Sequence, residues 1–148
     1  MKKKVAVFQR ADRLFVHPYC RTTAGVWIFC MPILSVAPTA PTSELGSAVL
    51  RSFEECKDQV PHPAPNAFTT LSEPLYKLAG VRSWNQFAKT AKHVTIELEG
   101  DYASLIPTEN QGKNGFGYLN DCTVSSPPDE KRIGAALLEA LRLCKCGN

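Results

Sequence analysis

The sequence predicts an α+β fold with a mostly antiparallel sheet of about six strands, formed by two similar hairpin–strand–helix halves with an inserted helical middle segment. Short apolar runs between turn residues predict the strands, and two stretches with helical spacing predict the long helices. Residues 45–50 and 133–138 match in residue class at every step, which indicates the two halves. The 148 residues have the length of one domain, so we expect residues 1–148 to form a single domain.

A hairpin and a further strand are predicted to open the first half. Residues 5–8 and 14–16 are apolar runs on either side of a polar turn, and a long strand-like run follows over residues 25–36. Pro38 and Pro41 then end the sheet segment, because proline donates no backbone hydrogen bond.

The first long helix is predicted to begin at Thr42-Ser43-Glu44, with a hydroxyl N-cap and an early carboxylate near the positive helix end. Steps of four, four and three residues place its apolar side chains on one face. These side chains are Leu45, Val49, Phe53 and Cys56.

The middle segment is predicted to be helical but interrupted. Residues 61–65 contain three prolines and cannot form a regular helix, because proline also biases the preceding residue toward extended geometry. Short helices are predicted over residues 72–79 and 83–91, with Gly80 as a C-cap between them.

The second half returns to strands. Thr95, Glu97 and Glu99 alternate with apolar residues, which predicts a strand with one buried and one wet face. Gly100-Asp101 fits a two-residue hairpin turn that leads into a strand over residues 102–106.

Asn114-Gly115 is a second turn signal in this half, and a short strand is predicted over residues 122–124. Pro128-Asp129-Glu130 is predicted to open the last helix. The residues predicted to share one face of that helix are Ile133, Leu137, Leu141 and Cys144.

A constant offset of 88 residues, which carries Leu45 onto Ile133, relates the two long helices. Applied to the strands, the same offset carries Phe8 onto Ile96. Gly46 and Gly134 are matched by this offset, and each costs its helix about 1 kcal/mol relative to alanine. We interpret both glycines as positions where a helix approaches the sheet closely.

The charge balance argues against direct nucleic-acid binding. The net charge of +3 is supplied entirely by Lys2, Lys3 and Lys4, and the remaining 14 Lys and Arg equal the 14 Asp and Glu. Nucleic-acid-binding domains owe their affinity to clustered cations that displace phosphate counterions. We interpret the three lysines as a solvated N-terminus.

The chain carries no targeting or membrane signal, so we expect a cytoplasmic protein without a membrane partner. Only residues 5–8 are apolar after the lysines, too few for the core of a signal peptide. No stretch reaches the ~18 apolar residues of a membrane span. The six cysteines are therefore expected to be reduced.

The cysteines and histidines predict no metal site and no cofactor. The pairs that come nearest to zinc-ligand spacing are His17 with Cys20 and Cys144 with Cys146, and neither forms paired knuckles. Cys56 and Cys144 lie at helix positions that face the core, and we interpret both as small apolar residues.

No complete catalytic constellation is present, so we expect a binding protein and no enzyme. Only His17, His62 and His93 can supply an imidazole base. A small hydrolase or nuclease that uses one of them is the first alternative, and a generic regulatory binding module is the second.

Residues of the kinds that anchor interfaces lie in turns or on the wet strand face. The candidate partner-binding residues are Arg21, His62, Trp84, Glu97, Glu99, Asp101, Asn114, Phe116 and Tyr118. The acidic members could occupy a basic active site on a partner, and a solvated face is the competing interpretation. Trp27 and Trp84 fit a core as well as an interface.

Four segments, in order along the chain, carry a family resemblance. They are residues 19–28 (YCRTTAGVWI), Glu44-Leu45-Gly46 with Ala48 and Leu50, residues 60–63 (VPHP), and residues 78–84 (LAGVRSW). Together they resemble the immunity proteins of bacterial contact-dependent growth inhibition (CDI). Cys20 departs from the serine expected before Arg-Thr-Thr, so residues 19–28 are not taken as a shared binding site.

The resemblance implies a cytoplasmic protein that binds and neutralises the toxic C-terminal domain of a large secreted exoprotein of the CdiA type. It further implies a nuclease as the toxin, with an RNase, such as one of the RNase A type, as the expected kind. Inhibition would then come from covering the active site or the substrate groove.

Overall fold

The computed structural model describes residues 2–146, which form a nine-stranded sheet with four α-helices. The strands are β1 (Lys3–Arg10), β2 (Arg13–Arg21), β3 (Trp27–Phe29), β4 (Leu34–Val36), β5 (Lys92–Glu99), β6 (Tyr102–Asn110), β7 (Phe116–Tyr118), β8 (Val124–Ser126) and β9 (Lys145–Cys146). The helices are α1 (Thr42–Glu54), α2 (Glu73–Leu78), α3 (Trp84–Ala88) and α4 (Glu130–Leu143). Short 3₁₀ turns occupy Pro65–Thr70, Gly112–Asn114 and Asn120–Cys122.

The sheet runs in the order β3-β2-β1-β5-β6-β7, and β4 and β8 also pair with β2 and β6. All of these pairings are antiparallel, and β9 alone among the described strands pairs in parallel, with β6. The predicted α+β class and mostly antiparallel sheet are therefore confirmed. The strand number exceeds six because β2 pairs with two short strands, β3 and β4, and β6 pairs with three, β7, β8 and β9.

The predicted long strand over residues 25–36 is wrong as a single element. β3 pairs with residues 19–21 of β2, whereas β4 pairs with residues 14–16 of the same strand. Pro32 lies between the two pieces and has no backbone N–H to donate to the ladder. The strand predicted over residues 122–124 is likewise displaced to Val124–Ser126, because a 3₁₀ turn ends at Cys122.

The two predicted halves are confirmed by the topology. β1, β2 and β3 correspond in order and length to β5, β6 and β7, and α1 corresponds to α4. β1 and β5 pair antiparallel at the centre of the sheet, so the halves are related by an approximate two-fold axis.

The offset between the halves differs between strands and helices. β1 begins at Lys3 and β5 at Lys92, so the offset in the strands is 89 residues and not the predicted 88. Phe8 therefore corresponds to Glu97 instead of Ile96. Because successive side chains alternate across a sheet, the one-residue error would have assigned every strand residue to the wrong face.

The helix glycines mark contact between the two helices, and the predicted approach to the sheet is wrong. A Cβ atom on Gly46 would overlap the backbone carbonyl of Glu130, and one on Gly134 would overlap the carbonyl of Thr42. The first turns of α1 and α4 thus cross backbone to backbone. Thr42 and Glu130 are themselves separated by 88 residues, so the crossing obeys the helix offset.

The core lies between these helices and one sheet face. All eight residues predicted on the two helix faces are buried. Six of them confirm the helical spacing, whereas Cys56 lies beyond the end of α1 and Cys144 is the C-cap of α4. They pack against the strand residues Val5, Val7, Leu14, Val16, Val94, Ile96, Ala103 and Leu105.

Residues 2–146 include no helix with the length and hydropathy that a bilayer-spanning segment requires.

The two long helices begin differently. The predicted hydroxyl cap of α1 is wrong, because Pro41 is the N-cap and its carbonyl accepts hydrogen bonds from the amides of Glu44 and Leu45 at 2.9 and 3.1 Å. α4 has a side-chain cap, in which Asp129 accepts from the amide of Arg132 at 3.1 Å.

The inserted middle segment forms two short helices, as predicted. Gly80 ends α2 with φ of +80°, and its amide donates to the carbonyl of Lys77 while that of Val81 donates to Tyr76. These are the two bonds of a Schellman cap. α3 ends at Ala88, short of the predicted residue 91.

Candidate functional site

The sheet face opposite α1 and α4 is rich in aromatic side chains, and we call it the aromatic face. Strand register and the alternation of side chains assign its members. They are Lys4, Ala6, Phe8, Arg10, Arg13, Phe15, His17, Tyr19, Arg21, Trp27, Phe29, Ser35, His93, Thr95, Glu97, Glu99, Tyr102, Ser104, Ile106, Thr108, Asn110, Phe116, Tyr118 and Ser125.

A continuous row of rings crosses this face. His17 contacts Phe29 at 4.4 Å between ring centroids and Phe8 at 6.0 Å. Phe8 stacks on His93 at 4.3 Å, and His93 meets Phe116 at 5.2 Å. The row joins the β3 edge to the β7 edge and fixes the orientation of the side chains between them.

The two histidines in the row are buried and held by backbone carbonyls. Nδ1 of His17 donates to the carbonyl of Pro18 at 2.9 Å, and Nδ1 of His93 donates to that of Val7 at 3.2 Å. Burial lowers the pKa of His17 to about 4 and the pKa of His93 to about 3. Both rings are therefore neutral at pH 7. Nε2 of His93 lies 3.1 Å from the hydroxyl of Thr95.

The inserted segment covers only one end of the aromatic face. Leu75 of α2 and Phe87 of α3 are buried there against Phe8 and Phe15. Trp84 of α3 packs edge-on against Phe8 at 5.6 Å. These residues form a second core, which buries several of the large rings on the aromatic face.

The other end stays uncovered by the described residues, and we call it the open half: Arg21, Trp27, Glu97, Glu99, Tyr102 and Tyr118 with the neighbouring Lys4. Tyr102 is 60% exposed and Tyr118 is 48% exposed. The Tyr118 hydroxyl reaches back over the sheet to within 3.5 Å of the Thr95 hydroxyl. Aromatic residues and arginine are the residue types in which protein interfaces are enriched.

Charges in the open half are paired across strands. Glu97 lies 3.3 Å from Lys4 and 3.5 Å from Lys2. The Lys4 ammonium also stands 5.4 Å from the centre of the Trp27 ring, which the Arg21 guanidinium approaches at 5.9 Å. The predicted solvated lysine tail is therefore wrong, because β1 begins at Lys3 and places Lys4 opposite Glu97.

A cleft of about 460 Å³ opens beside the covered end, between α3 and the 3₁₀ turn before β7. Trp84 and Phe116 form its aromatic walls, and Lys89 and Lys113 stand at its rim. None of the residues that line it is acidic.

A family model described as CdiI, CDI immunity protein, matches residues 64–144, which is more than half of the chain. The chain belongs to the CDI immunity protein family. The matched residues run from the 3₁₀ turn before α2 through the end of α4, so they include all the residues that line the cleft and the whole second half of the sheet and helix repeat.

Two solved structures share the fold of this CDI immunity protein. The first is a protein of unknown function, NMB0488, from Neisseria meningitidis, with a TM-score of 0.82 and 15% identity over 98% of this chain and 96% of that chain. The second is a CdiA-CT/CdiI toxin and immunity complex from Yersinia pseudotuberculosis, with a TM-score of 0.75 and 17% identity over 98% of each chain. No curated protein sequence matches the chain.

The structure of the immunity protein gathers most of the predicted binding residues on the aromatic face. Arg21, Glu97, Glu99, Phe116 and Tyr118 project from it through strand register. The others lie at its margins.

Among the marginal residues, Trp84 lies over the covered end of the face. Asp101 occupies the turn between β5 and β6, and Asn114 lies in the 3₁₀ turn before β7. His62 lies on the loop after α1, where its Nδ1 is 2.9 Å from the Thr22 hydroxyl.

The predicted wet face of β5 is only partly correct. Thr95 and His93 are buried beneath the ring of Tyr118 and the aromatic row. Glu97 is half-buried and paired with lysines, whereas Glu99 and Asp101 are exposed and form no ion pair with any residue in the range 2–146. The acidic surface is thus the tip of the β5–β6 hairpin.

Tyr102 and Lys4 belong to the open half, although the sequence did not single them out as binding residues. Tyr102 lies opposite Glu99 across the hairpin, and the turn at Gly100-Asp101 predicts that pairing. Lys4 lies opposite Glu97 only because β1 pairs with β5, which no local pattern indicates.

The candidate metal pairs do not converge. His17 projects from the aromatic face, whereas Cys20, three residues along the same strand, points to the helix side and is buried there. Cys144 donates from its thiol to the carbonyl of His93 at 3.3 Å, and the side chain of Cys146 lies outside the described part of the chain. The described residues contain no group of three or more His, Cys, Asp or Glu placed to hold a metal ion.

Proposed function

We propose that this CDI immunity protein neutralises a toxin by binding the C-terminal domain of a CdiA-type exoprotein with the open half of its aromatic face. The family match supports the immunity role, and the structural neighbour from Yersinia pseudotuberculosis is a toxin and immunity complex. The protein acts in the cytoplasm as an inhibitor and performs no chemistry of its own.

The open half is the observation that carries this proposal. It combines two exposed tyrosines, Tyr102 and Tyr118, with the tryptophan Trp27 and charged side chains on one rigid sheet. Buried aromatics and arginines dominate the binding energy of protein interfaces. Trp27 contacts Lys4 and Tyr118 contacts Thr95, so ordering these two rings on association costs less side-chain entropy.

We further propose that the toxin is a nuclease, an RNase, and that the immunity protein covers its active site. A nuclease active site must stabilise the negative charge that develops on a phosphate, so it presents cationic donors. The tip of the β5–β6 hairpin presents the opposite charge, since Glu99 and Asp101 are exposed and have no cationic partner among the described residues. Charge complementarity of this kind speeds association and selects the correct partner.

The hydrolase alternative has less support. His17 and His93 are buried in the aromatic row, and their lowered pKa values leave them weak bases. His62 lies on a different segment, beside Thr22. His17 and His93 both contact Phe8 but are buried, and His62 lies apart from them, so the three histidines do not combine into one candidate acid–base pair with a shared substrate position.

Co-expression tests the immunity role. Bacteria are induced to express the C-terminal toxin domain of the CdiA-type exoprotein encoded beside this chain, either with or without this chain. We expect growth only where the immunity protein is present. Equal survival in both strains would refute the proposal.

Charge reversal tests the binding surface. Glu99→Lys with Asp101→Lys is expected to weaken binding of a catalytically inactive toxin domain at least tenfold by titration calorimetry. Glu54→Lys with Glu139→Lys, at exposed positions of α1 and α4 on the opposite side of the sheet, is the matched control and is expected to bind like the unmodified protein. Equal affinities for all three proteins would remove the hairpin tip from the interface. Incubation of RNA with the toxin domain, in the presence and absence of this chain, tests the nuclease assignment. We expect the toxin domain to cleave the RNA and this chain to inhibit the cleavage.

A further inference from the structure

The cleft between α3 and the turn before β7 is a second candidate contact surface, distinct from the open half. We propose that it receives an acidic loop of the protein partner, whose carboxylates pair with Lys89 and Lys113 and whose apolar side chain packs between Trp84 and Phe116. This inference rests on the proposed function, since the partner is the toxin domain. It adds a cationic anchor point to an interface whose other part is acidic and aromatic.

The aromatic walls of the cleft are held in place from behind. Trp84 stacks on Phe87 at 5.5 Å and meets Phe8 edge-on at 5.6 Å. Phe116 meets His93 at 5.2 Å and Phe8 at 5.9 Å. Both rings are half-buried, so one side of each is fixed by the second core while another side lines the cleft. Preordered rings of this kind bind an apolar side chain at low entropic cost.

The rim of the cleft supplies positive charge without a counter-charge. Lys89 and Lys113 are exposed, and neither forms an ion pair with a residue in the described range. A concave site lined by one sign of charge focuses its field and raises the local concentration of the opposite charge. The volume of about 460 Å³ suits a few side chains of a loop.

The glycine-rich turn beside the cleft argues for a carboxylate-bearing loop over a phosphate. Its amides are used within the turn: that of Gly112 donates to Oδ1 of Asn110 at 3.0 Å, and that of Gly115 donates to the carbonyl of Gly112 at 3.1 Å. The amide of Asn114 donates to the carbonyl of Gln111 at 3.2 Å. The turn therefore lacks the row of convergent amides that holds a phosphate group. Recognition falls to the two lysine side chains and the rings.

Titration calorimetry with the catalytically inactive toxin domain tests the inference. Lys89→Glu combined with Lys113→Glu is expected to weaken binding of the toxin domain at least tenfold and to reduce the dependence of its affinity on salt. The charge-matched control is Lys131→Glu with Arg142→Glu, at two exposed positions of α4, which is expected to change the affinity less than twofold. Thermal unfolding of both variants confirms that they are folded.

A spectroscopic measurement covers the case in which the double variant misfolds. The sequence has two tryptophans, so 5-fluorotryptophan labelling of the unmodified protein gives two fluorine signals, and the signal that remains in the Trp27→Phe variant is that of Trp84. Addition of unlabelled toxin domain is expected to shift that signal. An unchanged signal at saturation would overturn the cleft as a contact surface.

The remaining outcomes separate this inference from the proposed function. If the toxin domain binds the unmodified protein and the double lysine variant equally, the cleft inference is wrong and the proposed function stands. If the toxin domain binds neither, both are wrong. If a single-stranded RNA oligonucleotide binds the unmodified protein and loses its affinity in the double variant, while toxin binding is unchanged, the cleft belongs to a nucleic acid and the inference is overturned.

Discussion

Substitution of Gly46 by alanine is expected to destabilise the protein, although alanine is the better helix former. The added Cβ would stand 2.9 Å from Cα of Glu130 and closer still to the carbonyl of that residue. Both atoms belong to the backbone of α4, so no side-chain rotation can relieve the overlap. The helices must separate, and overpacking at this level costs about 3 kcal/mol.

The opposing gain in helix propensity is about 1 kcal/mol, which leaves a net loss of about 2 kcal/mol in the free energy of unfolding. For a chain of this length, such a loss lowers the melting temperature by roughly 4–8 °C. Urea titration followed by circular dichroism measures the free energy of unfolding directly. Ala135→Gly, at an exposed position next to Gly134, is the control, and it is expected to lose about 1 kcal/mol through propensity alone.

The symmetric substitution sharpens the test. Gly134→Ala would overlap the carbonyl of Thr42 and place a Cβ 3.1 Å from the amide nitrogen of Gly46, so it forces the same two helices apart. Once one substitution has separated them, the second should cost less than it does alone. A stability gain of about 1 kcal/mol for Gly46→Ala, the value for an unobstructed helix position, would refute the backbone-to-backbone crossing.

Two further changes in stability follow from buried polar groups. The hydroxyl of Ser52 is buried without a hydrogen-bond partner among the described residues, so Ser52→Ala should raise the free energy of unfolding by about 1 kcal/mol, while Ala140→Ser at the matched position of α4 should lower it. Either sign reversed in urea titration would contradict this. His17 and His93 have pKa values of about 4 and about 3 in the folded state, below the usual 6.5. Between pH 6.5 and these lowered values, the unfolded chain therefore binds more protons than the folded protein. Stability should therefore be complete above pH 6.5 and fall on acidification by about 1.4 kcal/mol per pH unit for each histidine. His93→Gln should remove one such contribution to the slope of stability between pH 6.5 and 4, and an unchanged slope would show that His93 does not titrate in this way.

The elements that depend on local pattern were predictable, and those that depend on distant pairing were not. The spacing of Leu45, Val49 and Phe53 identified the buried face of α1 because a helix repeats within a few residues. Phe8 and His93 stack only because β1 and β5 are neighbours in the sheet, and nothing near either residue indicates that pairing. The sequence therefore predicted individual binding residues. Only the strand register shows that most of them lie on one face of the sheet.

The glycine interpretation failed for a related reason. The sequence indicated that Gly46 and Gly134 needed close approach to something, and glycine at a helix position is the signal for that. Which neighbour approaches is decided by tertiary packing. The two halves are related by an approximate two-fold axis, so α1 packs directly against its counterpart α4. The two glycines lie where the backbones of these helices touch.

The corrected offset of 89 residues shows that the two sheet faces differ in how well the halves match. On the helix side, Val5 corresponds to Val94 and Val7 to Ile96, so the halves match in residue class.

On the aromatic face, most matched positions of β1, β2, β5 and β6 differ in class: Phe8 corresponds to Glu97, and His17 corresponds to Ile106. Packing explains the first pattern, because both halves contribute to one core beneath α1 and α4 and must fill it with apolar side chains. No shared core imposes that match on the aromatic face, where the inserted segment covers one end and leaves the other uncovered. The face on which the repeated halves differ most is thus the face on which the proposed partner binds.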